Sequence, residues 1–146
     1  MGEVYAATEI GGERRAAVKL LHGRALESPE TTRRFLREAD ITRALSGPNL
    51  VEVLEVGETA DGVPFLAMEL LEGQSLQNVL EHMATPHAIV LGLQLIDALI
   101  AVHAHQLVHC DVKPANVFLE RCATSPVTRS LSWDRAKLLD FGSVRR

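Results

Sequence analysis

The sequence predicts an α+β fold, and three observations carry that prediction. Two short apolar runs, MGEVYAA and RRAAVKLL, flank the Gly11-Gly12 pair, which is a hairpin signal. A second pair of strand-like runs, residues 49–56 and 63–71, flanks Asp61-Gly62, another turn signal. Residues 35–45 and 88–106 repeat their apolar positions at helical spacing.

Composition bounds the rest. A chain of 146 residues with 47% hydrophobic content is one domain at most and is long enough to bury a core. A formal net charge of -4 supplies no basic surface for nucleic acid. Cys110 and Cys122 make no metal-ligand pattern. One disulfide in such a chain would be unusual, so a reducing, cytoplasmic setting is expected. The opening MGEVYAATEIGGE has no basic region and no apolar run, so no signal peptide is expected. The longest apolar stretch, 88–102, is interrupted by Gln94 and Asp97 and reads as a core helix rather than a membrane span.

In chain order, Ser28 before Pro29 starts the first helix, because proline is tolerated in a first turn. Phe35, Leu36, Ala39, Ile41 and Leu45 mark its apolar face, and Gly47-Pro48 ends it. Residues 75–83 are expected to form a short helix. Thr85-Pro86 caps the next, whose stripe is Leu91, Leu95, Ile96, Leu99, Val102 and His103. His103 and His105 lie near its end, where the helix dipole favours them. Asp97 and His82 read as ordinary surface residues. Residues 120–135 form a polar insertion, with Ser125-Pro126 marking an exposed loop and Trp133 expected to pin it to the body.

Chemistry concentrates in two segments, LVHCDVKPANVFL at 107–119 and LLDFG at 138–142. Apolar residues on both sides tether each to buried structure. Between the anchors stand Asp111, Lys113, Asn116 and Asp140. Hard oxygen donors suit Mg²⁺. A carboxylate beside a lysine can accept a hydroxyl proton while the lysine neutralises phosphate charge.

The pattern H-x-D-x-K-P-x-N followed by D-F-G resembles the catalytic-loop and magnesium-loop pair of protein kinases. A lysine two residues after the aspartate, then proline, resembles the serine/threonine branch rather than the tyrosine branch, and the chain as a whole resembles the bacterial serine/threonine kinases. The resemblance implies Asp111 as base or orienter of the substrate hydroxyl, Lys113 on the γ-phosphate, and Asn116 with Asp140 on Mg²⁺. His109 reads as a packing and hydrogen-bonding residue. Phe141 would pack beneath the small-lobe helix. Gly2 and Val4 resemble the end of the glycine-rich loop, whose earlier glycines are not in the chain.

Ala17-Val18-Lys19 resembles V-A-I-K, where the lysine grips the α- and β-phosphates. A snorkelling surface lysine would give the same local pattern. Glu38, in FLREA, stands where the family carries the glutamate that pairs with that lysine. A solvated glutamate paired with Arg34 one turn back is the alternative, and Glu30 is a competing candidate. Residues 68–73 resemble the hinge. There, backbone groups of Glu69 and Leu71 would meet adenine, Met68 would guard the deep pocket, and Phe118 would join the nucleotide set.

The resemblance implies a protein-kinase-like fold: a sheet lobe with one helix over 1–69, a hinge at 70–73, and the first part of a helical lobe over 74–146. It implies ATP and Mg²⁺ as cofactors and proteins bearing Ser or Thr as substrates, with no nucleic acid and no membrane segment. The activation segment, A-P-E and later helices are not in the chain. The helix over 88–106 is therefore expected to expose apolar surface, with self-association as the result. Cys110 stands where many kinases carry the arginine that meets a phosphorylated activation segment. A truncated non-catalytic module and a small-molecule phosphotransferase are the rival readings.

Overall fold

In the computed structural model the described residues are 3–23, 26, 28–121 and 135–145. They fall into two units, Met1–Ala44 with Glu52–Leu70, and Leu45–Val51 with Leu71–Arg146. Gly2, Cys122, Trp133 and most of the polar insertion lie outside the described residues.

The first unit holds a four-stranded antiparallel sheet of order β1-β2-β4-β3 and one helix. Strands β1 (Glu3–Thr8) and β2 (Arg15–Leu20) form the expected hairpin. Gly11, at φ +81°, makes the turn that a side chain would resist. Helix α1 (Pro29–Ala44) starts where Ser28 Oγ accepts the Thr31 N–H at 3.3 Å, satisfying one orphan donor of the first turn. Its Phe35 and Ala39 bury against Leu21 and Leu66, with Leu36, Val53, Val56 and Met68 around them. Burying Phe35 alone contributes about 2 kcal/mol. Thr42, also buried, satisfies its hydroxyl on the Glu38 carbonyl one turn back.

Strands β3 (Val53–Glu58) and β4 (Pro64–Glu69) are joined through Thr59–Val63, with Gly62 at φ +75°. Thr59 closes this turn twice. Its N–H donates to the Val63 carbonyl, and its Oγ1 accepts the Val63 N–H. Both strands are shorter than the expected 49–56 and 63–71. The reason is a change of partner: residues 49–51 run along a strand of the second unit and pair there instead.

The second unit is built on a three-stranded sheet, β5 (Gly73–Ser75), β6 (Val117–Glu120) and β7 (Arg135–Leu138). Helix α2 (Thr85–Ala104) packs on β7. The short helix expected over 75–83 is two 3-10 turns, Leu76–Asn78 and Leu80–His82. Val79, at φ -118° and ψ -8°, separates them and prevents a continuous α ladder. Ala84, rather than Thr85, occupies the cap position of α2, and Thr85-Pro86 opens the first turn.

The buried row of α2 is Leu91, Ala98 and Val102, while Ile96 and His103 face solvent. The row is rotated from the expected stripe because Gln94 lies toward the sheet and hydrogen-bonds it. Five apolar residues of α2 are left on the outer side: Ile89, Val90, Leu93, Ile96 and Ile100, each 53–60% exposed. Among the described residues α2 is the one helix long and apolar enough, by length and composition, to cross a membrane.

Candidate functional site

Each unit carries candidate site residues of its own. In the first unit, strand pairing sets Val4 opposite Lys19, Lys19 opposite Leu66, and Ala17 opposite Met68. Paired residues share a face of a sheet, and alternate residues repeat it. Val4, Ala17, Lys19, Leu66 and Met68 therefore lie on one face, the face that buries Leu66 against α1. Lys19 reaches α1 from this face. Its Nζ donates to Glu38 Oε1 at 2.5 Å, with only 21% and 11% of the two side chains exposed.

The alternative partners are accounted for. Arg34 pairs with Glu30 at 3.4 Å on the exposed surface of α1, one turn apart, and Glu38 pairs with Lys19. Val4 stays exposed at the start of the sheet. Met68 packs at the margin of the core and Glu69 ends β4. The Glu69 carboxylate accepts the Glu52 N–H at 2.8 Å, so its side chain is engaged within the strand pair.

In the second unit the chain leaves α2 through Gln106, at φ 57°, and buries Leu107. Val108 then bridges to Arg145 through two backbone hydrogen bonds, which closes the loop after Asp140 back onto the start of the loop before Asp111. His109 is buried between these loops. Its Nε2 contacts the Leu139 carbonyl at 3.1 Å, and its Nδ1 accepts the Asp111 N–H at 3.3 Å. These two contacts fit the tautomer with hydrogen on Nε2. The Phe141 ring meets the imidazole edge-on, 5.1 Å between centroids. His109 is thus a bracket between the two loops, as a packing and hydrogen-bonding residue would be.

Asp111 is held on its other side. Lys113 Nζ donates to Asp111 Oδ2 at 2.7 Å, and Asn116 Nδ2 donates to the same oxygen at 2.9 Å and to the Asp111 carbonyl at 2.9 Å. The Lys113 ammonium, then the Asn116 amide, hold the Asp111 carboxyl below the usual aspartate range. It is an anion at neutral pH, with Oδ1 left to take a hydroxyl hydrogen. The loop is shaped by the 3-10 turn Pro114–Asn116, in which the Asn116 N–H donates to the Lys113 carbonyl.

Asn116 spends its amide nitrogen on Asp111, so its oxygen is the donor atom that faces a cation's chemistry. The backbone carbonyl of Asn116 accepts the Leu139 N–H at 2.9 Å, which ties the loop to the residue before Asp140. Asp140 is exposed, at φ 59°, and its Oδ1 accepts the Gly142 N–H at 3.3 Å. Aspartate tolerates this left-handed backbone because its short polar side chain can bond locally. The donor set of Asn116 and Asp140 is hard oxygen, which fits Mg²⁺ and not a thiolate-seeking metal. Among the described residues no group of three or more His, Cys, Asp or Glu could hold a metal.

Leu71 is half-buried just before β5, and Phe118 is half-buried on β6, opposite Ser75. Cys110 is exposed and adopts φ 63°. One supporting residue escaped the sequence reading. Ser75 Oγ donates to the Pro114 carbonyl at 3.2 Å and accepts the Gln77 N–H, anchoring the loop of Asp111 to β5. A serine opening a helical turn is a recognisable cap signal, but its second bond depends on a residue 39 positions away.

The protein kinase domain family model matches residues 1–146. The chain is 36% identical to the serine/threonine-protein kinase pkn2 of Myxococcus xanthus, over 99% of this chain and 17% of that protein. It is 37% identical to the serine/threonine-protein kinase PknH of Mycobacterium tuberculosis, over 97% of this chain and 21% of the relative. It is 32% identical to the serine/threonine-protein kinase PrkC of Bacillus subtilis, over 88% and 20% respectively. The chain thus spans 17–21% of the length of these curated relatives.

Proposed function

This chain belongs to the protein kinase domain family, and from that membership we propose that it serves a serine/threonine protein kinase, which moves the γ-phosphoryl group of ATP to Ser and Thr hydroxyls of proteins. The observation that carries the reading is the Asp111 carboxylate, held between Lys113 and Asn116 in a loop of the H-x-D-x-K-P-x-N pattern. Such a carboxylate is placed to orient a hydroxyl and take its proton.

The remaining roles follow from side-chain chemistry. Lys19, oriented by Glu38, would bind phosphate oxygens as a fixed cation. Lys113 would neutralise charge on the transferred group while it holds Asp111. Val4, Ala17, Met68 and Phe118 would supply apolar contact to the adenosine part, and the backbone of Glu69 and Leu71 the polar contact. Asn116 and Asp140 would hold Mg²⁺. When bound, that ion neutralises phosphate charge and orients the nucleotide. A reducing, cytoplasmic setting is part of this reading, on the cysteine usage of the sequence alone.

The test is transfer from ATP to a generic Ser/Thr protein and to a panel of small alcohols, with Asp111→Asn and Asp140→Asn beside the native protein. Protein labelling that falls by at least 10²-fold in Asp111→Asn is expected. Labelling of the alcohols instead of the protein would overturn the reading.

A further inference from the structure

Asp140 lies two residues beyond the end of β7, so its position depends on how firmly that strand is held. One edge of β7 pairs with β6, from Val117 opposite Leu138 to Glu120 opposite Arg135. The other edge is held by a segment that belongs to no strand. The Asn49 carbonyl accepts the Leu138 N–H at 2.8 Å, and the Leu138 carbonyl accepts the Val51 N–H at 3.3 Å. The Asn49 side chain continues the ladder, with Nδ2 donating to the Ala136 carbonyl at 2.8 Å.

The last open group on this edge, the Ala136 N–H, donates to Gln94 Oε1 at 2.6 Å, and that oxygen also takes the Asn49 amide at 3.3 Å. Lys137 is buried and donates from Nζ to the Leu50 carbonyl at 3.0 Å. Asn49 itself is only 7% exposed. A buried amide with satisfied donors has one low-energy placement, because any slip strands polar groups away from water.

We propose that Asn49 and Gln94 are positioning residues for the magnesium-binding Asp140, acting by clamping β7 in register. The proposal rests on the kinase reading of Asn116 and Asp140. Loss of either side chain leaves this edge of β7 held by the two backbone bonds at Leu138 and fewer side-chain bonds, so the strand shifts more readily and Asp140 moves with it. Outer residues that orient a metal's ligands typically change its affinity by about 10–100-fold. Nucleotide affinity without the metal does not pass through Asp140 and stays unchanged.

The experiment uses the full-length protein. Calorimetry measures binding of a non-hydrolysable ATP analogue in EDTA and across a Mg²⁺ titration, for native protein, Asn49→Ala, Gln94→Met and Gln94→Glu. Hydrogen exchange at the Ala136 and Leu138 amides reads the clamp directly. The Mg²⁺ midpoint should rise roughly tenfold or more in Asn49→Ala and Gln94→Met. Affinity in EDTA should stay within about twofold, and both amides should exchange faster. Gln94→Glu, which keeps an acceptor oxygen, should restore the native midpoint.

A midpoint within twofold of native in a folded Gln94→Met overturns the proposal, as does an equal loss of affinity with and without Mg²⁺. Gln94 is only half-buried, so this variant serves if Asn49→Ala fails to fold. If the native protein binds nucleotide with no response to Mg²⁺, the kinase reading of the metal residues fails and the clamp proposal falls with it. A responsive native protein with indifferent variants overturns the clamp alone.

Discussion

Asp111 keeps its charge to lower pH because of two neighbours on its own loop. Its folded pKa lies below the ordinary 3.8, chiefly through the Lys113 hydrogen bond. A depressed carboxyl pKa contributes stability that is fully present above the unfolded value and is lost as pH falls through the folded one. The pairing is therefore not lost to carboxyl protonation between pH 3.8 and neutrality, and protonation of Asp111 does not form the acid limb of a pH profile near neutrality. Carbon-13 titration of the Asp111 carboxyl should show a pKa below 3.8 in native protein and a rise in Lys113→Met. An unchanged value in the variant would remove Lys113 as the cause. Lys19 and Glu38 form a more buried ion pair, with 21% and 11% of the side chains exposed. A double-mutant cycle of Lys19→Met and Glu38→Gln, read by urea denaturation, should give a coupling energy of about 1–2 kcal/mol. Coupling near zero would mean the contact carries no weight in the fold. The lysine and its glutamate were readable as candidates from motif spacing. Which of Glu30 and Glu38 answers Lys19 was settled by folding, because β-strand alternation and helix phase decide which carboxylate reaches across.

Elements were legible where the local signal and the tertiary partner agree. The Gly-Gly and Asp-Gly hairpins and the Ser28 cap formed as read, since turn geometry and capping are decided within a few residues. Residues 49–51 misled because their apolar letters suit any strand, and they took a partner in β7 instead of extending β3. The stripe of α2 misled because an almost wholly apolar helix has weak phase, so the bonds of Gln94 to Asn49 and Ala136 set the rotation. Gly73 shows how strict an element boundary can be. It opens β5 at φ 156°, and a Cβ there would stand 1.9 Å from the Leu119 carbonyl oxygen. Backbone cannot yield by that much without breaking the β5–β6 pairing. Gly73→Ala should cost about 2–4 kcal/mol by urea midpoint. Gly62→Ala is the control, with open space around the Cβ and only a left-handed φ of +75° to strain it. It should cost about 1–2 kcal/mol. Equal costs for the two would show that backbone angle alone, and not the Leu119 contact, sets the penalty.

At the scale of the whole molecule the described residues make two units, each with its own sheet and helix, and they differ in how well the helix is covered. In the first unit, α1 turns Phe35 and Ala39 inward and leaves its charged residues outside, Glu38 excepted, as an amphipathic helix should. In the second, α2 buries Leu91, Ala98 and Val102 on β7 but turns Ile89, Val90, Leu93, Ile96 and Ile100 to solvent. These five recur at intervals of one, three, three and four, which is a continuous helical face. Side chains scattered singly would need no explanation, but a contiguous apolar face does. Water contact with such a face is costly at about 25 cal/mol per Å² of apolar surface, so any surface that covers it is favoured. For this 146-residue chain expressed alone, the available cover is another copy. Sizing with light scattering should therefore show self-association that grows with concentration. Leu93→Lys with Ile100→Glu should bring the mass toward that of one chain, because charges on the face oppose its burial, while the inner row that packs on β7 stays intact. Thermal midpoint should change little, since neither residue contributes to the core. A native chain that runs monodisperse across the concentration range would mean the face is tolerated in water. Association that persists in the double variant would place the contact elsewhere on the molecule.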